Sequence, residues 1–178
     1  MRCTKEAMKP TLTGFTLLEL LITIAVLSIL MMVAMPSFKT MMMNNRISTT
    51  TDALVSALNY ARHTALSKNT SVMICPWLAA GSMACGGSWS TGWIVISQPV
   101  PVLLSAYNTG SHDPVVSSTI TSATFDSRGI TTTTAQFTVC DNRGGTFARS
   151  VSVLPTGFVQ AGSTVGSAAW DGSALVCP

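Results

Sequence analysis

Glu19 is the only charged residue in a long apolar run that extends from Phe15 to Phe38. A carboxylate within hydrocarbon is costly, about 2.5–3.5 kcal/mol at a helix centre on insertion scales, and normally marks a functional site. Gly14 precedes the run, and cleavage of the Gly14–Phe15 bond would create an α-amine one helical turn before Glu19. In an assembly of parallel helices, Glu19 would neutralise the amine of a neighbouring subunit. These residue types therefore indicate an ion pair that sets the axial register of an assembly.

Two other interpretations of the apolar run compete with this one. As a helix the run would reach about 36 Å, enough to cross a bilayer. A signal peptide would be cut after the apolar region at small residues, and the sequence at 33–35 fits that pattern poorly. A plain single-pass anchor explains the length and leaves Glu19 unexplained. Cleavage before the helix accounts for both Gly14 and Glu19.

The stretch Gly14–Leu20, GFTLLEL, resembles the type IV prepilin signal. The resemblance implies that a prepilin peptidase, which is also an N-methyltransferase, cuts after Gly14 and methylates Phe15. It also implies that Glu19 guides assembly into a helical fibre. Pro36 matches the family's helix kink, because a proline removes one backbone hydrogen bond and bends the helix. The implied partners are other major and minor pilin subunits, this peptidase, the inner-membrane assembly platform and membrane lipid.

Four of the five cysteines follow the apolar run: Cys75, Cys85, Cys140 and Cys177. Four cysteines allow three pairings, and no two of these cysteines have the close C-x-x-C spacing of a zinc site. Disulfides are therefore favoured over metal binding. Disulfides require an oxidising compartment such as a periplasm. We favour Cys75–Cys85, which closes a short loop, and Cys140–Cys177, which ties down the C-terminus. Free buried thiols are the alternative.

Charge and motifs exclude several classes of function. The formal net charge is +3, and it falls to about +1 without the basic segment 1–14. This charge is too small for a general polyanion binder, whereas the basic leader agrees with a cytosolic N-terminus. The sequence contains no nucleophile motif, phosphate loop or metal cluster. We therefore expect no enzymatic activity, no metal and no cofactor.

The apolar run continues into an amphipathic pattern that positions the rest of the chain. Apolar or small residues recur at spacings of three and four, which predicts a helix from Phe15 to about Ser67 with one buried face. The face comprises Met43, Ile47, Thr51, Leu54, Leu58, Ala61 and Ala65.

After Thr70 the pattern changes to short β-rich runs separated by turn residues. The runs are SVMIC, GWIVIS, ATFD, AQFTVC and RSVSVL, with Val115–Ile120 as a further candidate. They predict one antiparallel sheet of about five to seven strands, packed on the amphipathic part of the helix. The fold class is therefore α+β. The tryptophans at 77, 89, 93 and 170 are expected to pack in this domain, with an exposed tip loop as the alternative for Trp170.

Four stretches of the later sequence resemble the GspH/FimT family of pilin-like proteins. They are Leu58–Pro76, Cys85–Ser97, Phe125–Gly129 and Arg149–Val159. The resemblance implies a pilin-like α+β fold in four segments. These are a leader peptide at 1–14, a transmembrane and polymerisation helix at 15–38, an amphipathic helix at 39–67 and a β-rich periplasmic domain at 68–178.

The family resemblance implies a minor pilin or pseudopilin that primes or caps a type IV pilus or a type II secretion pseudopilus. Such a protein sits in the inner membrane as a single-pass protein with a periplasmic domain, and is then assembled into the fibre. Paired cysteines favour the pilus slightly over the secretion system.

The alternative function is DNA binding for natural uptake. Some family members use a Gly-Arg-x-Arg motif, and here the corresponding stretch, 157–160, reads Gly-Phe-Val-Gln. Because both arginines are missing, much of the electrostatic contribution to DNA binding is lost. Arg128, Arg143 and Arg149 are the candidate DNA contacts that remain.

Overall fold

The structure, a computed structural model, describes residues 14–79, 81–110 and 114–178. The predicted leader lies outside the described residues up to position 13. The chain divides between Thr40 and Met41 into two compact units. The second, Met41–Pro178, is called the head unit below.

The helix α1 extends over Leu17–Lys68, close to the bounds that the sequence predicts. At its C-terminus Asn69 takes a left-handed conformation with φ of 49°. The N–H of Thr70 then donates to the carbonyl oxygen of Ala65 at 3.2 Å. This arrangement satisfies the last carbonyls of the helix and directs the chain into the first strand.

The amphipathic pattern of α1 is confirmed in the head unit, except that the predicted Met43 is only half-buried. The buried residues of the helix are Ile47, Thr50, Thr51, Leu54, Leu58, Ala61, Thr64 and Ala65. They recur at the period of the helix, so one face packs against the strands while the opposite face meets solvent.

Within the described residues, eight antiparallel strands follow α1 and form two sheets. The first sheet has the order β3-β2-β1-β5 and the second has the order β4-β6-β7-β8. Their bounds are β1 Ser71–Pro76, β2 Gly92–Gln98, β3 Leu103–Asn108, β4 Val115–Ser118, β5 Ala123–Phe125, β6 Ala135–Cys140, β7 Arg149–Val153 and β8 Val159–Ala161. Both sheets contribute side chains to one core with α1, among them Val72, Phe125, Phe137 and Val151.

The prediction of a single sheet was wrong, although the fold class is confirmed. Val115–Ser118 pairs with Ala135–Cys140, so the middle of the chain starts a second sheet. Two strands also escaped the sequence pattern. Leu103–Asn108 is an edge strand with mostly exposed residues, and Val159–Ala161 has only three residues. Neither therefore shows a clear alternation of apolar and polar residues.

Candidate functional site

The start of α1 is organised around Thr16 and Glu19. The N–H of Glu19 donates to the hydroxyl oxygen of Thr16 at 3.2 Å, and the N–H of Leu20 donates to the Thr16 carbonyl oxygen, also at 3.2 Å. Thr16 therefore caps the helix, which begins at Leu17. Glu19 lies in the first turn, where a carboxylate is favoured by the helix dipole.

The predicted cleavage bond precedes this cap. Gly14 and Phe15 lie outside the helix, and both are exposed. A Cβ at Gly14 would meet no atom of the described residues within 4 Å. Packing against those residues therefore does not require glycine there, and cleavage at this bond stays a prediction.

The side chains of the first unit are exposed on every face of the helix. Phe15, Leu17 and Met32 are 75%, 76% and 78% exposed. A helix that is apolar all round is stable only inside a protein or a membrane. By length and composition, α1 is the one described helix able to cross a membrane.

Within this apolar segment, the hydroxyl groups of two polar side chains are satisfied by the helix itself. The hydroxyl of Thr23 donates to the carbonyl oxygen of Leu20 at 2.8 Å, and that of Ser28 donates to Ala25 at 2.7 Å. Such back-bonding hides a hydroxyl from an apolar surrounding. The Glu19 carboxylate has no side-chain hydrogen-bond partner among the described residues, so it remains available to another chain.

Pro36 lies inside α1. It has no N–H for the preceding turn, and its own carbonyl oxygen accepts a hydrogen bond from the Thr40 hydroxyl at 3.1 Å. The expected kink at this position stays a prediction.

The four candidate cysteines form the two pairs favoured from the sequence. Cys75 at the end of β1 is bonded to Cys85, and Cys140 at the end of β6 is bonded to Cys177. The second pair packs in a small core with Ala148, Ala168 and Leu175. It therefore fastens the C-terminal segment to the second sheet. Among the described residues, no group of three or more potential ligands could hold a metal ion.

Two of the three candidate DNA-binding arginines are engaged within the chain. Arg128 pairs with Asp126 at 3.1 Å, and its side chain is 77% exposed. Arg143 pairs with Asp141 at 2.7 Å, and its side chain is only 13% exposed. Arg143 also donates to the side-chain oxygen of Asn44 at 2.8 Å and lies over the Phe147 ring. Its role in the structure is to hold a turn against α1.

The carboxylate of Asp126 shows how firmly the turn around Arg128 is held. Desolvation would raise the pKa of Asp126, but hydrogen bonds from the N–H groups of Ile130 and Arg128 and the Arg128 guanidinium outweigh it. The pKa therefore lies below its usual value.

The candidate arginines do not form one patch. Arg143 contacts Asn44, whereas Gly129, next to Arg128, contacts Arg62. These two helix positions are about 27 Å apart at the standard rise of an α-helix. Arg149 lies in a groove beside Asn44, at the same end as Arg143. Only Arg143 and Arg149 are therefore brought together.

Arg62 has a structural role that the sequence analysis missed. Its Nε donates to the carbonyl oxygen of Gly129 at 3.0 Å, and its Nη2 donates to that of Thr156 at 3.4 Å. One guanidinium thus joins α1 to two turns of the head unit. A signal was present in the sequence, because each of these turns contains a glycine and Arg62 stands between two buried alanines of the helix, Ala61 and Ala65.

The expectation that all four tryptophans pack was wrong for Trp170. Trp89 and Trp93 are buried, and Trp77 is half-buried with its Nε1 donating to Ser82. Trp170 is 59% exposed, because it lies at the tip of a short hairpin closed by the Ser167–Ala174 bridge.

Comparison with known families gives two matches along the chain. Residues 50–157 match the family model described as Type II transport protein GspH, which is more than half of the chain. Residues 13–35 match the model described as Prokaryotic N-terminal methylation motif. No curated protein sequence matches the chain.

Two solved structures resemble this fold, both of the type IV minor pilin FimU from Pseudomonas aeruginosa. The first has a TM-score of 0.53 and 21% identity, and covers 66% of this chain and 88% of FimU. The second has a TM-score of 0.51 and 20% identity, and covers 64% of this chain and 90% of FimU. At this level of identity the likeness shows a shared fold, a long helix packed on antiparallel sheets.

Proposed function

Because the chain belongs to the GspH family of pilin-like proteins, we propose that it is a minor pilin or pseudopilin. In this role it is a structural subunit that helps to prime or cap assembly of a type IV pilus or a type II secretion pseudopilus. Its partners are other pilin subunits and the inner-membrane assembly platform.

The position of Glu19 carries this proposal. It is the only charged residue of an exposed apolar segment, and it lies one turn from Phe15. A lone carboxylate there costs free energy unless a cation meets it. The cation that could meet Glu19 is the α-amine that cleavage creates at Phe15 of a neighbouring subunit. The ion pair between the two groups would also fix the axial register of the subunits.

Processing precedes assembly in this proposal. A prepilin peptidase cuts between Gly14 and Phe15 and methylates the new amine. The basic leader stays cytosolic, Phe15–Phe38 spans the inner membrane, and the remaining residues lie in the periplasm. Both disulfides suit that oxidising compartment.

The proposal is tested by replacing Glu19 in the producing organism. Glu19→Ala should be cleaved and methylated as the wild type is, which the intact mass of the membrane-extracted chain reports. Its share in the sheared fibre fraction should fall strongly, while Glu19→Asp should retain part of the incorporation. Asp52→Ala is the matched control, because Asp52 is an exposed carboxylate of the same helix. Normal incorporation of Glu19→Ala would refute the role of this residue.

The machine that the protein serves is identified by deleting its gene. We expect loss of either surface pili or type II export of folded proteins, and restoration by the wild-type gene. Retention of both activities would contradict a role in assembly.

DNA uptake is the alternative function, and it depends on phosphate contacts. Arg128 and Arg143 are paired with carboxylates, which leaves Arg149 to contribute. Each neutralised phosphate adds about −0.9 to the slope of log affinity against log salt, so one contact predicts a shallow slope. The full chain in nanodiscs should accordingly bind duplex DNA weakly at low salt. A steep slope with micromolar affinity would favour DNA uptake instead.

A further inference from the structure

Arg149 occupies a position where the sheet pattern calls for an apolar side chain. Along β7 it shares a face with Val151 and Val153, which are fully buried in the core with α1. Its partner across the sheet, Val139, is buried as well. Arg149 itself is only partly buried. A cation therefore stands at the end of an otherwise apolar face.

The Arg149 side chain lines a groove of about 410 Å³ at this end of the head unit. The other lining residues are Asn44, Ile47, Thr146, Phe147 and Val165. Three of them, Ile47, Phe147 and Val165, make apolar walls, and the last two are 43% and 44% exposed. The groove thus combines one cation with an apolar surface.

The polar groups of this groove are suited to a ligand that accepts hydrogen bonds. Among the described residues no carboxylate lies within ion-pairing distance of Arg149, and Asp141, which follows the neighbouring strand β6, is paired with Arg143. The side-chain oxygen of Asn44 is also occupied by Arg143, which leaves the Asn44 amide as a donor. With the Thr146 hydroxyl, the groove offers donors and a positive charge, the pattern that binds a phosphate.

We propose that this groove binds the phosphate headgroup of an anionic phospholipid while the protein is in the membrane, before it is assembled into a fibre. The inference rests on the part of the proposed function that places Phe15–Phe38 in the bilayer. The chain from Phe38 to Asn44 spans at most about 22 Å even when fully extended. The groove is therefore tethered within reach of the membrane surface, whatever the orientation of the head unit.

Charge and surface favour lipid over nucleic acid as the occupant. A single unpaired arginine provides little of the multiple phosphate neutralisation that DNA binding requires. Apolar walls beside a phosphate site fit the glycerol and upper acyl region of a lipid. An anionic headgroup would hold this end of the head unit against the bilayer before the subunit enters a fibre.

Native mass spectrometry of the full chain released from nanodiscs tests this directly. The nanodiscs contain phosphatidylglycerol and phosphatidylcholine in equal amounts, and the ratio of the two lipids retained by the chain is measured. The wild type should retain more phosphatidylglycerol. Arg149→Gln should lower the ratio roughly fivefold or more, the effect expected for loss of one charge-assisted hydrogen bond. Arg149→Lys should preserve part of the preference.

Arg128→Gln is the matched control, because it removes the same charge at the distant end of the head unit and should leave the ratio unchanged. Val165→Glu is a second test that leaves the core intact, since Val165 is exposed at the groove. Its carboxylate should repel the headgroup and lower the ratio.

Three results would overturn the proposal. The first is an equal lipid ratio for the wild type and Arg149→Gln, and the second is an equal loss in Arg128→Gln. The third is Arg149-dependent binding of a DNA duplex without any headgroup preference, which would assign the groove to nucleic acid. Loss of all lipid by the wild type would likewise refute headgroup binding, whereas failure of the wild type to incorporate into nanodiscs would refute the membrane span, and with it both proposals.

Discussion

The guanidinium of Arg62 donates to the carbonyl oxygen of Gly129 at 3.0 Å, and so joins the last turns of α1 to the turn that follows β5. The same side chain reaches the carbonyl oxygen of Thr156, in the turn between β7 and β8. The two turns belong to different sheets of the head unit. Arg62 therefore couples α1 to both sheets through charge-assisted hydrogen bonds.

Replacing Arg62 should destabilise the head unit. Arg62→Met keeps most of the apolar stem and removes the donors, which leaves a partly buried carbonyl unpaired. We expect the free energy of unfolding to fall by about 1–2 kcal/mol. Urea unfolding under non-reducing conditions measures this change. Arg128→Met is the control, because an exposed ion pair contributes about 0–1 kcal/mol. An equal loss in both variants would contradict a special role for Arg62.

Gly157→Ala should be far more damaging than Gly172→Ala. Both glycines have positive φ, 75° and 73°, so both variants place an alanine at a φ that favours glycine. A Cβ at Gly157 would also collide with the carbonyl oxygen of Gly129, whereas a Cβ at Gly172 meets nothing within 4 Å. We expect at least about 2 kcal/mol of additional destabilisation for Gly157→Ala. Thermal melts of the two variants provide the comparison, and equal melting temperatures would refute the steric argument.

The turn around Asp126 should lose stability in acid. Its pKa is lowered in the folded state, from a usual value of 3.8. A lowered pKa means that the ionised carboxylate stabilises the fold above the unfolded pKa, and that this contribution disappears as the pH falls through the folded value. Titration of the Asp126 carboxyl by NMR should show a midpoint below 3.8. Asp126→Asn should remove this part of the acid dependence, and an unchanged pH profile in that variant would contradict the assignment.

The sequence predicts those features that depend on near neighbours. The end of α1 near Ser67 and the buried stripe through Leu54 and Leu58 follow from a helical period read within one segment. The prepilin-like site at Gly14, Phe15 and Glu19 is also local, since its chemistry lies within a single turn of helix. These features need no knowledge of the rest of the fold.

The features that the sequence does not predict depend on distant residues. The partners of Arg62 are 67 and 94 residues away, and Asn44 is 99 residues from Arg143. Turn arginines read from sequence as solvated cations, and only the fold shows that Arg143 is paired and shielded. The division into two sheets has the same cause, because the pairing of β4 with β6 is a choice among strands that no local pattern distinguishes.

The Cys140–Cys177 bond should matter for the order of the C-terminal segment. It closes a separation of 37 residues, for which loop entropy predicts a stabilisation of about 4 kcal/mol. The separation of 10 residues between Cys75 and Cys85 predicts about 3 kcal/mol. Unfolding energies alone hardly separate the two bonds, so the sharper measurement is hydrogen exchange.

In the Cys140→Ser/Cys177→Ser variant, the amides of Gly166 and Leu175 should lose protection. In the folded chain they donate to Ala148 and Gly166 at 2.8 and 3.0 Å. These hydrogen bonds lie in a segment whose small core includes the disulfide, so removing the bond should allow the segment to open locally. The Cys75→Ser/Cys85→Ser variant is the control and should leave both amides protected. Equal protection in the two variants would show that the C-terminal segment is held by its hydrogen bonds and packing alone.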